Sequence, residues 1–599
     1  MKYHKALGLL LVSTQALLIN AEKVTFKVLA VNGQPTLNIN GQKIQMESPY
    51  YPLFEAEADV SQFPVQYNYS IDYGNGETKD EAFTRKREQN EDALNEFFDR
   101  QITILNHPRL PRAYEELDTL ELSKLYDDNY VATIIVKCDE NQLNDLYQNT
   151  SNTAVKAQVI YASPYAVKTF NDAQILISGQ STRQVPKLSY KIKNLKNDKG
   201  KELYNRSTIK LRAEHMDPSL IRDKLYGDIL NSIGLPAAQN RFARLFINGE
   251  SIGLFNLTDD ITSKSYLEAT FNKGKQFSDE DYSLFKGDFC PSCESPGFGD
   301  LGYYGEDPTN GMYAIYSYKG SDKKANAEEH FIKEFLPLLK GIQDYDTSGD
   351  ASKMPFDIDT FLKYMAMEFI AGGVDNYWNK PGNFYVFKDL KKNQWYFHDS
   401  DFHFTFGCGG SVTAMKTTPL AEYPPLLEEN VGKERPPLDA IRKSPENEEK
   451  FKGIFQRLLN TAFHPKAIYP RIDSLANLIR EDVEWDIPLP KVNPNPTLDT
   501  DLKFTMEDFN SHVTEEIDVE NDDRMPIKSF LSTRINNLVQ ELGIQVPTEF
   551  ENNLGLVDFS SIEGEDTSNA ISRIMISITS WKLFIIPTFL TILYVKLFY

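Results

Sequence analysis

The chain has 599 residues, too many for one ordinary hydrophobic core, and its 41% hydrophobic content is ample to bury several domains. A formal charge of −22, with no Lys/Arg-rich block to break that field, repels phosphate backbones and anionic lipid, so nucleic acid is excluded as a partner. The composition is that of a globular protein and not of a disordered one.

Residues 1–21, "MKYHKALGLLLVSTQALLINA", place Lys2, His4 and Lys5 ahead of an apolar run that ends at Asn20-Ala21. They read as a cleavable signal peptide, with a buried first strand as the alternative. Residues 22–95 alternate in "VTFKVLAV", "TLNINGQKIQM" and "VQYNYSIDYG", with Asn32-Gly33 and Asn40-Gly41 as hairpin signals, which predicts a small all-β sandwich. Residues 96–125 are a charged linker that wraps onto the next domain.

A core domain follows over 126–485. Strands are predicted at "NYVATIIVKC", "KAQVIYAS", "DAQILISG", "KLSYKIKN" and "STIKLRA". A helix comes next in "DPSLIRDKLYGDILNSIG", with Asp217 as N-cap, Pro218 at its first position and Gly234 as its stop. "RFARLFINGE" and "SIGLFNLTDD" form a hairpin around Asn248-Gly249. Strands, one helix and strands again make an α+β lobe. After a Gly/Pro-rich aromatic insertion reaching about Gly320, "AEEHFIKEFLPLLKGI", "DIDTFLKYMAMEFIAGG", "EKFKGIFQRLLNTAF" and "RIDSLANLIREDVEWD" predict a mainly helical second lobe.

Residues 486–548 read as a helical extension, 549–574 as an acidic stalk and 575–599 as an apolar tail. Leader plus tail predict a glycosylphosphatidylinositol signal with attachment at Ser568 or Asn569. Lys582 and Lys596 interrupt the tail, and a retained single-pass anchor of roughly 20 residues is the alternative. Sequons at Asn68, Asn149, Asn205 and Asn256 agree with export. In an oxidising compartment the four cysteines, Cys138, Cys290, Cys293 and Cys408, favour two disulfides with three pairings open; the Cys290-Pro-Ser-Cys293 spacing reads as a loop staple.

The chemistry concentrates in "GGVDNYWNKPGNFYVFKDLKKNQWYFHDSDFHFTFG", Gly372 to Gly407. Asp375 follows a helix end, and strands "NFYVFKD" and "QWYFHDSD" flank a loop at Lys391–Asn393, so Asn383 and Asp401 meet at the base of one hairpin. That geometry suits Mg-nucleotide chemistry, in which one Asp orients the acceptor hydroxyl while an Asn and a second Asp hold the metal. Protein kinases divide the work in this way. Here Asn379 stands four and Asn383 eight residues after Asp375, and Asp401-Phe402-His403 stands where Asp-Phe-Gly would. Asp and Asn as ordinary turn residues are the alternative. Upstream, "ISGQSTRQVPKLSYKIKN" puts Gly179 and Ser181 in a turn able to expose N–H groups to phosphate, and Lys187 and Lys191 beyond it; a plain hairpin with exposed lysines is the other reading. Arg212, Glu214 and Arg222 either position such a lysine or solvate a helix face.

Together "GQSTRQVPKLSYKIKN", "LRAEHMDPSLIRDKLYGDILNSIGLP", "ARLFINGESIGLFNLTDDI" and "DNYWNKPGNFYVF…FHDSDFHFTFG" resemble the spore-coat protein H (CotH) family over roughly Asp172 to Gly407. The β-domain, leader and tail resemble its cell-surface branch in Mucorales. The resemblance implies a two-lobed, atypical kinase fold that transfers phosphate from ATP, with Mg or Mn, to Ser/Thr of secreted or coat proteins. Asp375 would be the catalytic Asp, Asn383 and Asp401 the metal ligands with Asp399 adding charge, and Gly179, Ser181, Lys187, Lys191 and Asp259 the nucleotide contacts. It also implies a secreted, surface, wall or spore-coat location, held to the membrane through a lipid anchor or the C-terminal segment. Some relatives act as invasins toward a host cell-surface receptor, so a non-catalytic adhesin is the competing reading, and a wall structural glycoprotein a third. This chain departs from the family where His403 replaces the second carboxylate of an Asp-aromatic-Asp motif, where Asp259 or Asp260 stands for a longer acid, and in the more aromatic, basic run "NKPGNFYVFKDLKKN".

Overall fold

The computed structural model describes residues 21–290, 297–320, 326–426, 432–514, 523–560 and 562. The leader, Cys293, Ser568, Asn569 and the apolar tail lie outside the described residues. The chain divides into two compact units between Thr103 and Ile104, and the whole is a mixed α/β protein.

In the first unit the period-2 alternation buries one face of every long strand. One sheet runs Glu47–Tyr50, Leu53–Val60, Glu22–Leu29, Glu96–Phe97, and a second pairs Gln42–Gln45, Gln34–Ile39, Val65–Asp72 and Thr78–Asp80, with Arg85–Arg87 also on Val65–Asp72. Phe26, Val28, Leu37, Ile39, Val60 and Tyr69 from both sheets close one core. Asn40 and Gly41, at φ 51° and 75°, make the two-residue turn expected of Asn-Gly, with Ile39 opposite Gln42. Asn32-Gly33 does not: the strands on either side of it join different sheets.

In the second unit the linker hugs its own domain. Leu105 N–H donates to Asn129, Ala113 to Ser232 and Glu121 to Ala269. The predicted strands close into a seven-stranded barrel in the order Ala132–Cys138, Val155–Ala162, Val167–Ser178, Ser189–Lys193, Ile209–Arg212, Glu250–Asp259, Asn240–Ile247. The closing contact is parallel, from Ala132 opposite Ala243 to Val136 opposite Ile247. Tyr190, Ile192, Ile209 and Leu211 belong to the barrel core, which leaves Lys191, Lys210 and Arg212 on the other face of the same two strands, with Lys191 opposite Lys210.

The helix after the barrel's fifth strand starts later than the sequence suggests, at Arg222, and runs to Ile233. Leu220 takes φ 58°, which breaks the helical path. Asp217 therefore caps a turn, accepting from Ser219 N and Arg222 N, while Gly234 ends the helix as predicted at φ 76°.

Beyond it, Tyr316–Tyr318, Tyr282–Gly287, Phe384–Asp389 and Gln394–Asp399 form a four-stranded sheet among helices Leu336–Ser348, Ile358–Ala371, Pro445–Asn460, Pro465–Asp486 and Ile527–Leu542. The start of the expected stalk is packed instead. Arg112 N–H donates to Gly555, Val557 N–H to Leu110, and Val557 and Phe559 enter the barrel core. Two apolar residues suffice where the backbone is also paired; the rest of that segment, Ile562 apart, lies outside the described residues.

Two expectations about covalent chemistry need correction. Cys138 and Cys408 carry free thiols, so two disulfides do not form: Cys138 ends a barrel strand, and Cys408 is buried with its Sγ toward the Met216 carbonyl. Among the sequons Asn149 and Asn205 are exposed and Asn68 is half-buried, but Asn256 is 1% exposed in a barrel strand and its amide donates to Asp223. No glycan fits there.

Candidate functional site

The site is built by one helix end and one hairpin. Asp357 caps helix Ile358–Ala371 through Thr360 N, and Gly372, at φ 60°, ends it, so the chain turns outward just before Asp375. The hairpin register sets Phe384 opposite Asp399, which puts Asn383 and Ser400 side by side. Ser400 Oγ donates to the Asn383 carbonyl at 2.5 Å. Asn383 Nδ2 in turn donates to Asp375, at 2.7 Å to Oδ2 and 2.9 Å to the backbone carbonyl. Burial raises the Asp375 carboxyl above its ordinary range, against the pull of Lys380, whose Nζ is 3.8 Å from Oδ1.

Helix Arg222–Ile233 holds the other end of the hairpin. Tyr226 stacks on Phe402 with centroids 4.0 Å apart and donates its hydroxyl to Asp399 Oδ2 at 2.9 Å; Asp223 Oδ1 accepts from Phe402 N–H at 3.0 Å. This leaves Asp401 at the open edge, a third of its side chain exposed. Its Oδ1 accepts from Arg212 Nη2 at 2.5 Å and lies 2.7 Å from His403 Nδ1. Arg212 Nε donates to Glu214 Oε1 at 3.0 Å and stands 3.5 Å from Asp223 Oδ2.

Burial alone would push the Asp401 carboxyl up, but Arg212 and His403 hold it well below the usual carboxylate range. Burial works against a charged His403, and Asp401 overrides it, raising the imidazole above its ordinary value. Glu214 is pushed up to about 7 by burial, which Arg212 only partly offsets. Glu214, Asn383 and Asp401 all sit at positive φ, 49°, 54° and 68°. Such strain in three polar residues of one cluster is what functional sites hold.

Other expected residues are placed elsewhere. Asp399 is fully buried and its oxygens accept from Tyr226, Asn376 and Ser400 N–H, so it braces the hairpin and adds no ligand at the edge. Asn379 is also internal, donating to the Val374 carbonyl. Lys187 is buried with its Nζ on the Leu254 carbonyl and Asp486, at 2.6 and 3.0 Å. Asp259 is spent on Tyr126, Arg206 and Gln239 N–H. The Gly179 and Ser181 turn is folded on itself: Arg183 donates to the Gly179, Thr150 and Ser151 carbonyls, and Gln184 N–H to Ser181. Arg222 pairs with Asp217. Lys191 lies 2.8 Å from Asp260, which it shares with Lys210 at 3.3 Å. Lys210 is the residue that sequence reasoning misses, although the i, i+2 spacing of Lys210 and Arg212 in "STIKLRA" signals one shared strand face.

Among the described residues no three His, Cys, Asp or Glu side chains converge as a metal cage. The edge instead offers two partly exposed carboxylates, Asp401 and Asp375, and the Asn383 amide, whose nitrogen is taken by Asp375 and whose oxygen is the atom left for a cation. That sparse set fits Mg²⁺ or Mn²⁺ carried on a nucleotide, since such ions take one or two protein carboxylates and draw other ligands from phosphate and water.

An acidic and amide edge joined by Arg212 to a lysine-bearing strand face, in a mixed α/β fold, defines the class. The chain belongs to the CotH family: a family model described as CotH kinase protein matches residues 175–521. Its relatives include Invasin CotH2 of Rhizopus delemar, 25% identical over 565 residues that cover 91% of this chain and 88% of that protein. Spore coat protein homolog 1 of the same organism is 27% identical, covering 82% and 78%, and Invasin CotH3 is 26% identical, covering 79% and 77%.

Proposed function

We propose that this protein is a cell-surface or coat-associated kinase of the CotH family, its barrel and helical parts serving as two lobes around a site for ATP with Mg or Mn. The observation that carries the reading is the Asn383 amide locked onto Asp375 beside Asp401. Asp375 orients a Ser/Thr hydroxyl of a secreted or coat protein and accepts its proton, a role for which a raised carboxyl is suited. Asn383 and Asp401 would hold the metal, which spreads charge on the transferred phosphoryl group. Lys191 and Lys210 offer positive charge to the phosphates.

Thermal unfolding with and without Mn-ATP, beside Asp401→Ala, tests this. Ligand at about 100 times its dissociation constant adds roughly 2.7 kcal/mol to the folded state. A rise in midpoint confined to the parent protein, followed by transfer of labelled phosphate to a Ser/Thr-rich acceptor, is the expected outcome; no rise in either protein ends the reading.

A second reading is a non-catalytic adhesin that engages a host-cell receptor. It is favoured by relatives named as invasins and by the pairing of Asp401 with Arg212 and His403. Its mark is host-cell attachment that Asp375→Asn leaves unchanged. Membrane attachment through a lipid at Ser568 or Asn569 belongs to both readings, and release by a phosphatidylinositol-specific phospholipase checks it.

A further inference from the structure

The Asp401 oxygen that a metal would use already has a cation on it. Arg212 Nη2 sits 2.5 Å from Oδ1, on a guanidinium whose Nε is pinned by Glu214. Glu214 is 7% exposed, and its second oxygen, Oε2, is buried without a hydrogen-bond partner. An orphan carboxylate oxygen beside a guanidinium that reaches it through Nε alone, with Nη2 on Asp401 and 3.0 Å from His403 Nδ1, is a vacant half of a bidentate pair. Asp223 is the less suited seat, because each of its oxygens already accepts, from Phe402 N–H and Asn256 Nδ2, whereas Glu214 Oε2 has no donor at all. The strand under Arg212 is fixed by pairing with Asn256, so only the head of the side chain has to turn.

We propose that Arg212 is a built-in counter-cation for Asp401, which an entering divalent cation displaces, and that Glu214 is the seat that receives the displaced guanidinium. This rests on the reading of Asp401 as a metal ligand. Cation affinity is then set by a contest: Arg212 opposes the metal at Asp401, and Glu214 weakens that opposition by drawing Arg212 away. Glu214 is a positioning residue, acting on the metal site only through Arg212. His403, also on Oδ1, stays with Asp401 throughout.

The probe is Mn²⁺ alone, followed as the loss of the free-ion magnetic resonance signal on titration of the full chain, with melting temperature recorded for every variant. Arg212→Ala should bind Mn²⁺ about tenfold more tightly, the scale of one charge-assisted hydrogen bond, and Glu214→Gln about tenfold more weakly. In the Arg212→Ala background Glu214→Gln should have no effect; two additive effects would mean simple through-space attraction and would overturn the seat. Arg212→Gln, which keeps most of the side chain, should fall between parent and Arg212→Ala and stands in for it if the alanine variant is unfolded. Asp401→Asn should abolish binding in every background.

If the parent binds no Mn²⁺ but Arg212→Ala does, the lock is present and shut to the free ion, and the kinase reading falls only if the parent is also not stabilised by Mn-ATP. If the parent binds and a folded Arg212→Ala binds no better, the lock is wrong and the kinase reading stands. If no folded variant binds free Mn²⁺, the lock is wrong, and the kinase reading is decided by unfolding with Mn-ATP.

Discussion

Asn383 grips Asp375 by both its carboxylate and its backbone carbonyl, at 2.7 and 2.9 Å. One amide nitrogen therefore fixes the position of the candidate catalytic group, while burial is the main influence on its charge. Asn383→Gly keeps the φ 54° conformation but loses the amide, whereas Asn383→Ala loses the amide and strains the backbone as well. Both should abolish phosphate transfer. The alanine variant should be the less stable of the two, and about 1–3 kcal/mol below the parent in denaturant unfolding.

Lys187 should matter for folding and not for nucleotide. Its ammonium lies between the Leu254 carbonyl and Asp486, buried on both sides; without it Asp486 keeps Lys491, at 3.7 Å, and Leu254 N–H, so the loss costs about 1–3 kcal/mol. Lys187→Ala should lower the melting temperature and leave the Mn-ATP dissociation constant of the folded fraction unchanged. Lys191→Ala should do the opposite.

Burial, with the neighbouring Asp401 adding to it, raises Asp399 to about 7, against hydrogen bonds from Asn376, Tyr226 and Ser400 N–H that favour the charged form; buried Glu368 is raised further by burial and by Asp399. A carboxyl raised on folding binds its proton more tightly in the native state, so its stabilising contribution is complete at acid pH and is lost as pH climbs from about 4 towards 7. The slope is on the order of 1.4 kcal/mol per pH unit while the two states differ by one proton. Stability should fall over that window, and Asp399→Asn should flatten the fall.

Asn256 should be unglycosylated in folded protein while Asn149 and Asn205 are the sequons to carry glycan, a pattern that peptide mapping by mass spectrometry reads directly. Asn256→Ala removes the amide from Asp223 and should cost about 1–3 kcal/mol. Asn149→Gln should cost little, because that side chain is exposed and bonds only within its own helix.

The hairpin that carries Asn383 and Asp401 is legible in sequence because local rules fix it: alternation defines both strands, and Leu390–Asn393 defines the turn. Gly234, Gly372 and Asn40-Gly41 are legible for the same reason, each marking a left-handed backbone position. What escapes is long-range. The parallel pairing that closes the barrel joins strands more than a hundred residues apart, and the Arg212–Asp401 contact spans 189 positions. Local pattern cannot rank Lys187 against Lys210 either: both lie in or next to strands, and only the fold sends one to Asp486 and the other to Asp260. Helix Arg222–Ile233 shows the converse failure, where Asp217-Pro218 looks like a start signal and one left-handed leucine defers it.

Closure of the barrel decides how other polypeptides can be met. A ring in which every strand has two neighbours has no spare backbone ladder, so no foreign segment can extend it as an extra strand. An acceptor chain brought to the lysine and arginine face has to be recognised by side chains, read one residue at a time, and a wrong sequence finds no generic backbone grip there.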